Sequence, residues 1–272
     1  MASTTEVVES RTGFDRFQRR WAVDAPRAGV VIVHGVAEHS GRYEHVGAQL
    51  AGAGFDVLGF DLRGHGRSGG TRGHIVSMSD FLDDVEELIN DRRALGVPVV
   101  LVGHSLGGLI ATAYAETRRP PADLLVLSAP ALVADVPGWQ RVAANTLGSL
   151  IPKLPIPNDF DGELLSRDEA VGVAYRDDPL RVTKLSARFG KVLFAAMPEA
   201  TDRLDRITIP TYVIHGADDK LVPPRATEPF DAVPNATRVV IPGVRHESFN
   251  EPEGTDILDA TIAWIDAHLP SS

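Results

Sequence analysis

The chain has 272 residues, a formal net charge of -10 and no cysteine. Its length suits one large α/β domain, or a core that carries an inserted subdomain. The absence of cysteine excludes disulfides, thiolate nucleophiles and cysteine-based metal sites, and it favours a reducing compartment such as the cytoplasm. The negative charge argues against nucleic-acid binding and against electrostatic docking on an anionic membrane. The N-terminus lacks the apolar stretch of a signal peptide, and no run has the length of a membrane span.

The first half of the chain alternates short apolar runs with segments of helical period. Strands are predicted at residues 29–34, 55–60, 97–103 and 124–128. Helices are predicted between them at 43–53, 79–95 and 105–117. This alternation is typical of a parallel sheet with helices on both faces. Two earlier segments, 6–10 and 14–23, are compatible with an antiparallel edge.

The pattern changes after Pro130. Residues 131–206 contain only helical segments around a proline-rich stretch, and strand signals resume at 211–215 and 237–241 before a terminal helix at 256–269. The sequence therefore predicts an α/β core, residues 1–130 and 207–272, into which a helical cap or lid, residues 131–206, is inserted.

The first predicted helix of the cap carries an apolar stripe. Its members are Trp139, Val142, Ala143, Leu147, Leu150 and Ile151. Such a stripe usually packs against protein, so packing onto the core is the favoured expectation. A movable cap would also allow the stripe to bury an acyl chain or to touch a micelle or membrane.

The most informative motif is Gly103-His104-Ser105-Leu106-Gly107, which follows an apolar strand and opens a helix. This G-x-S-x-G pattern in a strand-turn-helix context is typical of a nucleophile elbow, in which Ser105 stands above the sheet. Serine becomes a good nucleophile only when a positioned base takes its proton and an acid orients that base.

Candidates for the acid and the base follow in the order expected of α/β-hydrolases. Asp218 and Asp219 come after the predicted strand 211–215, and His246 comes after the strand 237–241. Position alone allows either aspartate to be the acid. His268 is a rival base, but it lies in the last turn of the terminal helix, where an imidazolium complements the helix dipole. We therefore favour His246.

Attack on a carbonyl also requires donors for the developing oxyanion. One is expected to be the amide of Leu106, the residue after the nucleophile. The other is expected from the loop after the strand 29–34, where the Val36 amide is the best candidate. His34 is expected to order this loop by hydrogen bonding.

No cofactor or metal is expected. The segment 64–69 fits G-x-G-x-x-G, but the next helix is predicted to start only near Ser79, whereas a dinucleotide site needs the helix to start at the third glycine. The histidines in the first third of the chain do not have the spacing of a helical ligand pair, and the chain contains no H-E-x-x-H motif.

At these residues the chain resembles the monoacylglycerol lipases of the α/β-hydrolase superfamily. The similar segments are 34–43, 61–68, the elbow 103–107, 175–180 and 215–219. The resemblance implies that Asp219 is the acid. It also implies that four residues surround the pocket for the glycerol head group: Glu38, Arg42, His104 and Tyr175. The alternative for Glu38 and Arg42, four residues apart, is a local ion pair.

Taken together, the motifs predict a serine hydrolase that cleaves monoacylglycerol to fatty acid and glycerol through an acyl-enzyme. The main alternative is a broader carboxylesterase or a lysophospholipase on the same fold. A ligand-binding protein that lacks chemistry is disfavoured because a complete Ser-His-Asp set is present. The expected partner is a small lipid ester, with transient membrane contact through the cap and a cytoplasmic location.

Overall fold

The computed structural model describes residues 2–270. The first half of the chain, through the sixth strand, contains β1 (Thr4–Glu9), β2 (Asp15–Trp21), β3 (Ala28–Val33), α1 (Glu44–Gly52), β4 (Phe55–Phe60), α2 (Met78–Arg93), β5 (Val99–His104), α3 (Leu106–Ala115) and β6 (Leu124–Ser128). The remainder contains α4 (Gly138–Leu150), β7 (Pro155–Pro157), α5 (Glu169–Asp177), β8 (Lys184–Ser186), α6 (Ala187–Thr201), β9 (Thr211–Gly216), β10 (Ala236–Ile241) and α7 (Gly254–His268).

Eight strands form one sheet in the order β1-β2-β4-β3-β5-β6-β9-β10. The β1–β2 and β2–β4 pairs are antiparallel, and every other pair in this sheet is parallel. The predicted mostly parallel sheet with an antiparallel edge is therefore confirmed. The loops that follow β3, β5, β9 and β10 all lie at the carboxyl edge of this sheet, where α/β proteins build their sites.

The central strands are buried on both faces because helices cover the sheet from both sides. Alternate residues of β3 separate into the two layers: Val31 and Val33 pack with α2 and α3, whereas Val30 and Ile32 pack with α1 and α7. This burial explains why β3, β4 and β5 read as continuous apolar runs and not as alternating patterns.

The chain leaves the sheet after β6 and returns at β9. The intervening segment, residues 131–206, is called the cap segment below; its boundaries remain a prediction. The expectation that it holds no strand is wrong, because β7 and β8 form a short antiparallel pair. A three-residue strand with proline at both ends, as in β7, has no recognisable period.

The apolar stripe of α4 does not pack onto the core as expected. Val142 is 66% exposed and Leu150 is 76% exposed, whereas Ala143 and Leu147 line a cavity, and Trp139 is 69% exposed and also lines that cavity. The stripe therefore divides between solvent and a cavity wall. Among residues 2–270, no helix combines the length and hydrophobicity needed to cross a membrane.

Candidate active site

The turn between β5 and α3 holds Ser105 in a backbone conformation that residues other than glycine rarely adopt. Its φ is 52° and its ψ is -115°, and its amide donates to the carbonyl of Ser128 at 3.0 Å. The flanking glycines are needed for space: a Cβ on Gly103 would lie 2.4 Å from the carbonyl oxygen of Gly107, and one on Gly107 would lie 2.0 Å from that of Val33. The predicted strand-turn-helix around Ser105 is present, and its strain is typical of a functional position.

The loops after β9 and β10 bring Asp219 and His246 together. His246 Nδ1 lies 2.7 Å from Asp219 Oδ2, and both residues are buried. The other carboxylate oxygen, Oδ1, accepts the amides of Leu221 and Val222 at 2.8 and 2.9 Å. Asp218 is exposed. The geometry thus distinguishes the two aspartates that their position in the sequence left equivalent.

The Asp219–His246 pair is electrostatically matched. Burial raises the pKa of Asp219, but hydrogen bonds from His215 and His246 outweigh burial and lower that pKa. Burial lowers the pKa of His246, but the hydrogen bond and charge of Asp219 outweigh it and raise that pKa. Asp219 is therefore a carboxylate at neutral pH that stabilises an imidazolium at His246.

Ser105 and His246 line one cavity, but no hydrogen bond joins their side chains. Long nucleophile–base contacts are common in unliganded hydrolases and tighten when substrate binds. His104 lies beside the pair, with its ring centre 4.8 Å from that of His246. Burial, followed by the nearby His246, lowers the pKa of His104 to about 4, so His104 is neutral near pH 7.

The loop after β3 carries the Val36 amide to the same cavity. His34 fixes this loop, with Nδ1 2.7 Å from the carbonyl oxygen of Gly35 and Nε2 accepting the Leu62 amide at 2.9 Å. Within residues 2–270, the amides of Val36 and Leu106 donate to no other protein group. Two buried or half-buried N–H groups are therefore available near Ser105 for a developing oxyanion.

The same loop is also held from the cap segment. Ala37 adopts a φ of 67°, and its carbonyl accepts the amide of Val182 at 3.1 Å. His39 Nε2 lies 2.7 Å from Asp178 Oδ2, which joins the loop to the cap segment a second time.

Glu38 is the centre of a buried ionic network behind this loop. One of its oxygens accepts the Gly35 amide and the Tyr43 hydroxyl, and the other accepts Arg42 Nη1 at 2.9 Å. Arg42 also donates to both carboxylate oxygens of Glu247, which directly follows His246. Burial raises the pKa of Glu38, but the charge of Arg42 leads the opposing effects and lowers it to about 2. The local ion pair anticipated between Glu38 and Arg42 is therefore present, and both side chains also line the cavity.

Tyr175 of α5 closes the cavity next to this network. The guanidinium groups of Arg42 and Arg181 lie 5.4 and 5.3 Å from its ring centre, within cation–π range. The ring is buried, and its hydroxyl oxygen makes no hydrogen bond of good geometry to any residue between 2 and 270; burial raises the pKa of Tyr175, and the nearby Arg181 opposes that rise. This hydroxyl is thus an unsatisfied polar group at the cavity.

The cavity has a volume of about 710 Å³ and is mainly apolar. Apolar lining from the cap segment includes Trp139, Ala143, Leu147, Leu193, Phe194 and Met197. The reactive and ionic lining groups, Ser105, His246 and the Glu38–Arg42 network, lie on the core side, whereas the cap segment adds the polar residues Asp135, Gln140, Asn158 and Ser186 to its apolar lining. A mainly apolar cavity with a polar, reactive core side fits an amphipathic ester.

The two alternatives weighed from the sequence lie elsewhere. His268 is exposed at the end of α7, where it stacks on Trp264 with ring centres 4.1 Å apart. The glycines between Gly64 and Gly69 form a turn, and α2 begins only at Met78. The helix N-terminus that would bind a pyrophosphate is therefore not at the third glycine.

Two residues of the site were missed by sequence reasoning. His215 Nε2 lies 3.2 Å from Asp219 Oδ2 and 2.9 Å from the Val222 carbonyl oxygen, so it helps to hold the acid. Glu247 holds Arg42, as described above. The only signal in the sequence was that His215 lies close to Asp219 and that Glu247 directly follows His246. Neither a histidine nor a glutamate at such a position is by itself diagnostic of a site residue.

Comparisons with known proteins identify the family of this chain. Residues 24–253 match the family described as serine aminopeptidase, S33. The chain is 38% identical to the monoacylglycerol lipase of Mycolicibacterium smegmatis, over 92% of each chain. It is 31% identical to the phospholipase YtpA of Bacillus subtilis, over 92% of this chain and 99% of that protein. The crystal structure of the Paleococcus ferrophilus monoacylglycerol lipase superposes with a TM-score of 0.86 at 35% identity, covering 93% of this chain and 99% of the other. The chain therefore belongs to the monoacylglycerol lipase family of the α/β-hydrolase superfamily and is a serine ester hydrolase.

Proposed function

We propose that the protein hydrolyses monoacylglycerols to a fatty acid and glycerol. The observation that carries the proposal is the polarity of the cavity: a mainly apolar lining from the cap segment faces a reactive serine and a compact ionic wall on the core. One acyl chain and one small polar head group match these two walls. The similarity to the Mycolicibacterium smegmatis and Paleococcus ferrophilus enzymes supports the same substrate class.

In the proposed mechanism, Ser105 Oγ attacks the ester carbonyl while His246 Nε2 takes its proton. Asp219 keeps the imidazole in the tautomer with the proton on Nδ1 and balances the imidazolium charge. The amides of Val36 and Leu106 hold the oxyanion of the tetrahedral intermediate. The imidazolium then protonates the leaving glycerol oxygen, and an acyl-enzyme remains on Ser105. Water attacks this ester with His246 as the base and releases the fatty acid.

We propose that Glu38, Arg42, His104 and Tyr175 form the wall that faces the glycerol. The unpaired Tyr175 hydroxyl is a hydrogen-bonding group ready for a glycerol hydroxyl, since a buried polar group gains most when a ligand satisfies it. Because Glu38 and Arg42 are held by each other and by Tyr43 and Glu247, their role is a fixed polar surface that needs little reorganisation.

Residues 131–206 act in this proposal as the lid over the acyl chain. Trp139, Val142, Leu150 and Ile151 on and just after α4 expose more than half of their surface. Exposed apolar side chains on one helix are suited to transient contact with a micelle or membrane that supplies the lipid.

The first test is labelling with a fluorophosphonate probe, which reacts with an activated serine. The wild type should be labelled, and Ser105→Ala should lose both labelling and turnover while keeping its circular dichroism spectrum. Ser128→Ala is a matched control, because Ser128 lies at the end of the neighbouring strand β6 and is also buried. Labelling of Ser105→Ala at the wild-type rate would disprove the assignment of the nucleophile.

The second test separates monoacylglycerol hydrolysis from a lysophospholipase or a general esterase. Initial rates are compared for monoacylglycerol, diacylglycerol, lysophospholipid and p-nitrophenyl esters of equal chain length. The proposal predicts the highest kcat/KM for monoacylglycerol. A higher value for lysophospholipid would favour the chemistry named for the Bacillus subtilis relative.

A further inference from the structure

A second cavity lies between the core and the cap segment, with a volume of about 410 Å³. Its core wall comes from the loop 71–74, and its other wall comes from residues 153–155 and 181–186. It shares only Leu185 and Ser186 with the larger cavity that contains Ser105. It is therefore a separate site that the hydrolysis mechanism does not use.

The charge of this second cavity is opposite to that of the whole chain. Four cationic residues line it, namely Arg72, Lys153, Arg181 and Lys184, and its lining within residues 2–270 includes no carboxylate. Only Arg181 is bonded to an acidic partner, Asp159, on an exposed loop. The chain as a whole has a net charge of -10, so a pocket lined by cations without carboxylates is a local region of positive electrostatic potential.

Two of the polar groups show that this positive charge is poorly compensated. Burial lowers the pKa of Arg72, and only the charge of Asp61 opposes it. Burial, followed by the charges of Lys153 and Arg188, lowers the pKa of His74. The charged form of a partly buried cation is stabilised when an anion binds nearby. So is the protonated form of a histidine whose pKa has been lowered by burial and by neighbouring cations.

The walls of the pocket are firmly joined. Ser186 donates its amide to the carbonyl of Gly73 at 2.7 Å, and Arg72 Nη2 donates to the carbonyl of Leu180 at 2.8 Å. A Cβ on Gly73, whose φ is 59°, would lie 2.2 Å from the carbonyl oxygen of Lys184. The backbone frame of the pocket is therefore preformed, and the exposed side chains of Arg72, Lys153 and Lys184 extend from it, which lowers the part of the entropic cost of binding that concerns the backbone.

We propose that this second cavity binds a phosphate group, carried either by a free phosphate ester or by the head group of a phospholipid. A phosphate monoester brings nearly two negative charges and three strong acceptor oxygens, which several cations can share. Lys153 and Lys184 supply point-charge donors without a protein partner within residues 2–270, while Arg72, which donates to the carbonyls of Gly66 and Leu180, and Arg181, which donates to Asp159, add positive charge around them. The cavity has room for a phosphate and a small polar substituent. Its location outside the active site makes this inference independent of which ester Ser105 cleaves.

The test uses the exposed lysines, since neither Lys153 nor Lys184 makes a side-chain hydrogen bond or ion pair within residues 2–270. Lys153→Ala/Lys184→Ala is compared with Arg118→Ala/Arg176→Ala, which removes two equally exposed, unbonded cations outside the cavity. Both variants change the net charge equally. Hydrolysis of p-nitrophenyl butyrate and the melting temperature should match the wild type in both, which verifies that each is folded.

One arm measures sn-glycerol 3-phosphate and inorganic phosphate by isothermal titration calorimetry at low salt. The other arm measures co-sedimentation with vesicles of phosphatidylglycerol and, as a comparison, of phosphatidylcholine. In at least one arm, the lysine variant should bind about tenfold more weakly than the wild type while the arginine variant binds normally.

Lysine-dependent binding of the soluble phosphates identifies a free phosphate ester as the source. Lysine-dependent binding confined to phosphatidylglycerol vesicles identifies a lipid head group. Equal weakening in the two variants would mean that only net charge matters, and absence of binding in both arms would mean that the pocket takes no phosphate. Either of these last results overturns the proposal.

Discussion

Replacing Glu38 by glutamine isolates the role of the buried ionic network. The carboxylate is 4% exposed and accepts from the Gly35 amide, the Tyr43 hydroxyl and Arg42. An amide in its place turns its NH₂ group either toward Arg42 or toward the other two donors, so at least one hydrogen bond becomes a donor–donor contact. Hydrogen bonds to charged groups are worth about 1.5–3 kcal/mol each, so we expect a loss of about 3 kcal/mol in the free energy of unfolding.

The variant should also lose activity, because the Gly35 amide precedes the Val36 amide that is proposed to bind the oxyanion. Complete loss of such a donor costs about a hundred- to a thousand-fold in kcat, so a loosened loop should cost about tenfold or more. Urea unfolding gives the stability, and hydrolysis of a short soluble ester gives kcat and KM. Glu163→Gln is the control, since that side chain is exposed and makes no hydrogen bond within the described chain.

The pH dependence of the stability difference provides an internal check. The pKa of Glu38 is lowered from 4.5 to about 2, so its ionised form stabilises the fold fully above pH 4.5 and progressively less as the pH falls toward 2. The difference between wild type and Glu38→Gln should shrink over that interval. A variant with wild-type stability and wild-type kcat at pH 7 would refute the idea that Glu38 supports the oxyanion loop.

Four further predictions concern the acid, the base, the elbow and the acyl pocket. Asp219→Asn should lower kcat by about ten-thousand-fold, as loss of the acid does in serine proteases, whereas Asp218→Asn should stay near wild type; a severe loss in Asp218→Asn with a mild one in Asp219→Asn would reassign the acid. In the wild type, kcat/KM should fall as the pH drops through the pKa of His246, which is raised above 6.5, because the base must be neutral. In Asp219→Asn this acidic limb of the pH–rate profile should move to lower pH, because the carboxylate that raises the pKa is gone. Gly107→Ala should give little folded protein, or folded protein that is inactive, because its Cβ would clash with a carbonyl of β3. Soluble yield and fluorophosphonate labelling measure this, and an active, stable variant would contradict the packing of the elbow. Leu147→Phe should shift the chain-length optimum toward shorter acyl groups, measured with a series of p-nitrophenyl esters, since this side chain lines the apolar wall; an unchanged optimum would move the acyl chain elsewhere.

The central strands of the sheet were predictable because they are buried on both faces. Runs such as Phe55–Phe60 carry their signal locally, in composition and length, and the structure reproduces that run residue for residue. Helix ends were less accurate: α2 was predicted to begin at Ser79 and begins at Met78, while its far end lies at Arg93 and not at 95. Helix ends depend on capping contacts that periodicity does not encode.

The site was only partly predictable, because its contacts are long-range. Asp218 and Asp219 are adjacent, and the difference between them is set by a turn in which the Leu221 and Val222 amides bind one carboxylate oxygen. Glu247 reaches Arg42 across 205 positions in the chain, and no local pattern indicates such a pairing. For α4, the amphipathic pattern indicated an apolar face but did not tell whether that face contacts other protein residues, a cavity or solvent.

The hydrogen bond from Val182 to the Ala37 carbonyl ties the cap segment to the proposed oxyanion loop. It is attached to the left-handed residue that follows Val36, so lifting this part of the proposed lid would remove a restraint from the proposed oxyanion hole. Access and reactivity would then be opposed: a raised lid would admit a lipid more easily and leave the site less prepared to cleave it. An enzyme built in this way gains catalytic power only after its substrate is enclosed, and mutations that free the lid should speed entry while slowing the chemical step.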